Sequence, residues 1–240
     1  MQIVQIAKIF DVKNVLCIHG AGGGGWEWNI WRRVFAARGW HTATPGLQSV
    51  AEGIAATRLS DYVEQVVAHA RATSEAVIVG ASLGGLLASQ AASRINARAL
   101  VLVNPLPPSD IPQRTAPRDY PDVVRWGSRR SLLSTQRALP DADDAARLYA
   151  LRHWRDESGA VLREACSGVS VIPPRCPVLV LASEHDADVP PACSRALADA
   201  WGAEFHLLQG ASHVGPLLGR NAPAAAELAL RWLERMPHTA

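Results

Sequence analysis

Lysine is nearly absent from this chain. Lys8 and Lys13 are the only two, and every other basic residue is arginine. Beside abundant Ala and Pro, that scarcity points to a GC-rich bacterial source and says nothing of function. Charge of one sign is lacking as well: 24 basic residues face 22 acidic ones, for a formal net charge of +2, and no basic run gathers them. This excludes nucleic acid as a partner, because such binding needs a concentrated positive patch. The four cysteines, Cys17, Cys166, Cys176 and Cys193, have no paired spacing and no C-x-x-C. A zinc site and a disulfide framework are thereby excluded, and buried reduced thiols are expected. No apolar run reaches the roughly 20 residues needed to cross a bilayer. The start, Met1-Gln2-Ile3-Val4-Gln5-Ile6, has no basic leader or small-residue cleavage site, so a soluble cytoplasmic protein is expected.

What is present is enough apolar material for one core, with 48% hydrophobic residues in 240. Apolar strands alternate with helical segments. Candidate strands are Gln2 to Ile6, Val15 to His19, His41 to Thr44, Ala76 to Val79, Ala99 to Val103, Val178 to Ala182 and Glu204 to Leu208. Helices are expected from Trp28 to Arg38 before Gly39, from Asp61 to Ala72 behind Ser60 as N-cap, from Leu83 to Ile95, and after Asn221 with Pro223 in the first turn. The pattern implies an α/β fold with a mostly parallel central sheet and helices on both faces. The alternation breaks once. Pro105, Pro107, Pro108, Pro112, Pro117 and Pro121 open an excursion, and helical pattern resumes at 123–139 and 142–165, interrupted near Glu157-Ser158-Gly159. We expect a core domain of residues 1–104 and 177–240, with 105–176 inserted as a small helical cap over the carboxyl ends of the strands.

Four loops carry the chemistry. Val77-Ile78-Val79 run into Gly80-Ala81-Ser82-Leu83-Gly84, which sets a serine between glycines on a strand-to-helix turn. Upstream, His19-Gly20-Ala21-Gly22-Gly23-Gly24-Gly25-Trp26 follows an apolar strand. Downstream, Ser183-Glu184-His185-Asp186-Ala187-Asp188 and Gly210-Ala211-Ser212-His213 each follow another. The order Ser, Asp, His on post-strand loops suits a nucleophile, an orienting acid and a base. The glycine loop also satisfies G-x-G-x-x-G, the dinucleotide pattern. That reading needs an acid at the end of the next strand, where Thr44-Pro45-Gly46 stand, so no cofactor is expected.

On these residues the chain resembles serine hydrolases of the α/β-hydrolase superfamily, over nearly its whole length. Its His-Gly-Ala loop with Trp26-Glu27-Trp28 is similar to the small esterase branch that includes plant-type methylesterases and hydroxynitrile lyases. The chain departs from the family at Ser183, where Gly is usual, and at Thr44-Pro45-Gly46-Leu47, where an Asp-containing segment is usual. The resemblance implies Ser82 as nucleophile, His213 as base and Asp186 as acid, with Asp188 and then Glu184 as alternatives. It also implies oxyanion donors at the backbone N–H of Ala21 and Leu83, Gly22 being an alternative, with His19 bracing the loop. Dehalogenases and epoxide hydrolases of the fold carry Asp where Ser82 stands, hydroxynitrile lyases carry Lys at Val214, and prolyl aminopeptidases carry Trp at Leu83. What remains is cleavage of a small-molecule carboxylic ester through an acyl-enzyme, with no metal. A thioesterase and a non-catalytic receptor of the same fold are the alternatives.

Aromatics flank the loop and fill the insertion. Gly22, Trp26, Trp28, Trp126 and Trp154 are candidates for a substrate pocket, while Trp31 shares a helical face with Val34 and Phe35 and reads as core. Arg152 and Arg155 read as a solvated face. The oligomeric state is not legible.

Overall fold

A computed structural model describes residues 13–73, 76–111 and 118–236. The expected strand Gln2 to Ile6, and Pro112 and Pro117, lie outside them. In chain order the first half holds β1 (Lys13–Ile18), α1 (Asn29–Ala36), β2 (Trp40–Ala43), α2 (Leu59–Arg71), β3 (Val77–Ala81), α3 (Leu83–Arg94) and β4 (Ala99–Val103). The next stretch contributes β5 (Val123–Val124), α4 (Leu132–Ala138), α5 (Asp144–His153), β6 (Glu157–Ser158) and α6 (Gly159–Ser167). The chain closes with β7 (Val178–Ser183), α7 (Pro191–Trp201), β8 (Glu204–Leu208), α8 (Gly215–Leu218) and α9 (Ala222–Glu234). Among the described residues no helix is long and apolar enough to cross a membrane.

The sheet has the order β2-β1-β3-β4-β7-β8, and every pairing in it is parallel. Both faces are covered, which is why the central strands are apolar throughout rather than alternating. Side chains on β1 divide between the layers: Leu16 and Ile18 pack with α2, α3 and α7, while Val15 and Cys17 pack with α1 and α9. Burial also pushes the Cys17 thiol far up, which keeps it an inert core thiol.

Parallel strands put all their carboxyl ends on one edge, and β3 delivers Ser82 there. Ser82 has φ 53° and ψ −121°, a strained conformation for a residue with a side chain. The turn is held on both sides: Ser82 N–H donates to the Val103 carbonyl (3.0 Å), and the Ser82 carbonyl accepts from Gly85 N–H (2.9 Å) and Leu106 N–H (3.0 Å). Glycine is required at the crossing of α3 over β1. A Cβ on Gly84 would stand 2.3 Å from the Ile18 carbonyl oxygen and 2.4 Å from that of His19.

Between β4 and β7 the expected helix at 123–139 is not formed as such. Val123–Val124 pairs antiparallel with Glu157–Ser158, and α4 starts only at Leu132, behind Ser131, whose hydroxyl accepts from Ser134 N–H (3.1 Å). The intervening Gly127 lies against the backbone of 154–155, where a Cβ would stand 2.6 Å from the Trp154 carbonyl oxygen. The 142–165 pattern is two helices with the expected interruption: α5 behind Asp143 and α6 behind Ser158, each cap accepting a backbone N–H. Two further expectations shift. A 3-10 turn, Gly25–Trp28, precedes α1. Arg58, not Ser60, occupies the N-cap of α2, and its N–H donates to Asp61 (2.8 Å). Asn221 does hold the N-cap position of α9, but its amide donates instead to the Gln209 carbonyl (3.0 Å).

The Gly84 contact yields a direct expectation. Gly84→Ala should destabilise by about 1–3 kcal/mol or more, as overpacking does where backbone rather than a side chain must yield, and thermal unfolding measures it.

Candidate active site

Ser82 and His213 line one cavity of about 430 Å³ at the carboxyl edge of the sheet. Its walls come from the glycine loop (Gly20, Ala21), from the segment between β4 and β7 (Trp126, Thr135, Trp154, Leu162) and from the loops after β7 and β8 (Asp188, Val189, Val214). With apolar walls and few polar groups, it suits a small organic ligand.

Behind the histidine, Asp186 is buried, and its Oδ2 lies 2.7 Å from His213 Nδ1. Its Oδ1 accepts the backbone N–H groups of Asp188 (2.9 Å) and Val189 (2.8 Å), which fixes the carboxylate from the other side. The alternatives are placed elsewhere. Asp188 faces Arg118 (3.7 Å) with its side chain largely exposed, and Glu184 accepts from Gly210 N–H (2.8 Å). Burial works against a charge on His213. The hydrogen bond and charge of Asp186, joined by the charge of Asp188, outweigh it and hold the imidazole above its ordinary pKa.

The histidine loop is tied down from two directions. Asn104, itself at φ 46°, donates to the His213 carbonyl (2.7 Å) and to Ser183 Oγ (2.8 Å), and accepts from Ser183 N–H (2.7 Å). That network explains the serine at position 183. From the inserted segment, Asp141 accepts Ser212 N–H (2.9 Å) and Ser212 O–H (2.6 Å).

The glycine loop is equally constrained. His19 is buried, and burial holds its pKa down at about 4, so it stays neutral. It accepts Leu47 N–H at Nε2 (3.0 Å), with Nδ1 on the Gly20 carbonyl (2.8 Å), the bracing expected of it. Gly20 N–H donates to Glu27 (3.2 Å) and Gly22 N–H to Glu157 (3.0 Å). Ala21 N–H lies between these two, and among the described residues nothing accepts from it or from Leu83 N–H. Two such groups beside a serine can receive a developing oxyanion. Gly22, its N–H already engaged, does not line the cavity.

Of the four candidate tryptophans, the structure brings Trp126 and Trp154 to the cavity. Trp28 is fully buried against Trp31, in the core. Trp26 packs on Tyr149, His153 and Trp154, behind the wall rather than in it. Arg155 is not a solvated cation either: it donates through its guanidinium to the Leu47 carbonyl (3.0 Å) and through N–H to Gly22 O (2.8 Å). Among the described residues no cluster of His, Cys, Asp or Glu could hold a metal ion.

Sequence reasoning passed over Glu27, Glu157, Asp141 and Asn104. Nothing in their local patterns marks them, since each acts on a segment distant in sequence; only Glu27, inside the Trp26-Glu27-Trp28 motif, stood beside a residue already singled out.

A family profile described as "Alpha/beta hydrolase family" matches residues 15–228. No curated protein matches the chain. Solved structures that it resembles include a pyrethroid hydrolase from Sphingobium faniae JZ-2 (TM-score 0.72, 18% identity, covering 93% of this chain and 98% of that one). Another is the methylesterase MES16 from Arabidopsis (TM-score 0.75, 14% identity, 94% and 100%). A third is an extracellular alpha/beta-hydrolase from a Paenibacillus species (TM-score 0.72, 13% identity, 91% and 98%). At these identities the likeness is one of fold.

The Glu157 carboxylate supports three donors at once: Gly22 N–H (3.0 Å), Tyr62 O–H (2.9 Å) and its own neighbour Ser158 N–H (2.8 Å). Glu157→Ala leaves these buried groups unpaired and should lower stability by roughly 3 kcal/mol or more. Denaturant unfolding measures the loss, and Glu157→Gln should recover part of it.

Proposed function

The chain belongs to the alpha/beta hydrolase family, and on that premise we propose that it is a serine hydrolase cleaving carboxylic esters of small to medium size through an acyl-enzyme. The observation that carries the reading is the buried Asp186 bonded to His213 in the cavity that Ser82 lines. Ser82 attacks the ester carbonyl while His213 takes its proton, and Asp186 holds the imidazole and stabilises its charged form. Ala21 and Leu83 N–H groups receive the oxyanion. His213 then gives its proton to the leaving alkoxide, the acyl-enzyme forms, and a water activated by His213 releases the acid. Residues 105–176 act as the cap, with Trp126 and Trp154 selecting the acyl or alcohol group. Related chains with ester-hydrolase names share this fold, which supports the class and leaves the substrate open. Matched oxygen and sulfur esters distinguish an esterase from a thioesterase, and recovery of ligand unchanged would indicate a receptor.

Ser82→Ala should abolish both turnover and labelling by a fluorophosphonate; persistent labelling at unchanged stoichiometry sinks the assignment. Asp186→Asn should lower kcat on the order of 10⁴-fold, by the logic of the triad, and Asp188→Asn far less. The base works only when neutral, so activity rises as pH passes upward through the His213 pKa, above the ordinary imidazole value in the wild type. Loss of the Asp186 charge should move that acid limb to lower pH.

The cap is tested on specificity. Trp126→Ala or Trp154→Ala should change relative kcat/KM among short and medium acyl esters by roughly tenfold, the scale of about 1–3 kcal/mol for one apolar contact. A common factor across all substrates, with folding intact, would remove the cap from the pocket.

A further inference from the structure

A second buried acid stands in the cavity wall, outside the triad. Glu27 is 3% exposed and follows the glycine loop in the 3-10 turn Gly25–Trp28. Its Oε2 accepts Gly20 N–H (3.2 Å), and the loop wraps over the rest of the carboxyl: a Cβ on Gly23 would lie 2.4 Å from its carboxyl carbon. The covering loop is the one that abuts the nucleophile. A Cβ on Gly20 would meet Ser82 Cβ at 3.3 Å, and Ala21 comes next in the chain.

We propose that Glu27 is a positioning residue whose carboxyl, as the neutral acid, braces the oxyanion loop, and that negative charge on it releases the loop and stops turnover. This rests on the serine-hydrolase reading above. The charges that face Glu27 are few. His213, on the loop after β8, and Arg155, from the inserted segment, reach it through space. Asp186 and Asp188 lie toward His213, Glu157 holds the other flank of the loop at Gly22, and His19 is neutral.

A buried carboxylate without a paired cation is costly, and one backbone N–H offsets little of that cost. Burial therefore pushes the Glu27 carboxyl up to about 8, against the opposing pull of Gly20 N–H, His213 and Arg155. At neutral pH the group is an acid that accepts from Gly20 and retains its own proton. Once it ionises, its solvation requires water on the side now taken by Gly20 and Gly23. That cover must lift, and Ala21 N–H moves with it. Glutamine keeps the carbonyl acceptor, offers an N–H where the neutral acid offers its O–H, and cannot ionise.

The test is the pH dependence of kcat/KM for wild type, Glu27→Gln and Glu27→Ala, with circular dichroism at each pH. Wild type is expected to lose activity alkaline of about pH 8, tenfold per pH unit for one group, while Glu27→Gln keeps its plateau through the same range. Glu27→Ala, with the brace removed, should lose about tenfold or more in kcat at neutral pH with little change in KM, and Glu27→Gln should restore much of it. Superimposable wild-type and Glu27→Gln profiles overturn the proposal. Should Glu27→Gln fail to fold, wild type carrying ¹³C at the glutamate carboxyls decides by NMR. One carboxyl titrating near pH 8 together with the Ala21 amide supports the proposal, and none titrating above about pH 6 overturns it. Failure of fluorophosphonate to label Ser82 overturns the hydrolase reading and this inference together. Labelling and turnover with unshifted profiles overturn this inference alone.

Discussion

The reactive edge depends on one contact, the seating of α3 against the carbonyls of Ile18 and His19 at Gly84. That helix touches β1 backbone to backbone, and the turn before it holds Ser82 in its positive-φ conformation at the end of β3. The same contact brings the residues after β1 beside the serine. A hydroxyl and a glycine loop that are separate in sequence thus share one cavity without any side chain joining them. Close packing makes this precise, since a displacement of a few tenths of an ångström would be felt through the whole layer.

Polar side chains then hold in place what the backbone cannot. Loops carry few ladder hydrogen bonds of their own, so the buried groups at the strand ends need partners from elsewhere. Asn104 links the ends of β4 and β7 to the histidine loop, Asp186 is gripped by its own following turn, and His19 joins the glycine loop to Leu47. The site is therefore held by side-chain bonds, some within one loop, as at Asp186, and some between loops, as at Asn104 and His19.

Much of this was legible in the sequence because it is local. Strand β3 with its elbow, the alternation of strands with helices, and the glycine loop all announce themselves within ten residues, through apolar runs and Gly punctuation. Asp186 was distinguishable from Asp188 only through the resemblance. In space the difference is plain, as the first is buried under its own turn and the second exposed at the rim. The inserted segment was less legible. Helical spacing at 123–139 concealed two valines that pair with Glu157–Ser158, a partner more than thirty residues away. Trp26 and Trp28 carried the same ambiguity, since an aromatic beside a loop can face either core or cavity, and only packing against Trp31 or Trp154 separates the cases.

The segment between β4 and β7 packs on the core through Val161, Ala165, Leu139 and Ala150, and polar contacts tie it to the loops as well. Glu157 reaches Gly22 and Tyr62, Arg155 reaches Leu47 and Gly22, and Asp141 reaches Ser212. Gly215 belongs to the last of these, for a Cβ there would overlap the Asp141 carboxylate at 2.0 Å. Divergence in this chain is consequently constrained in pairs. Replacing this segment alone would leave Gly215 and Ser212 shaped for an absent carboxylate and Gly22 N–H without its acceptor. Single cavity-facing side chains such as Trp126 belong to none of these pairs, so a change there is free of that constraint.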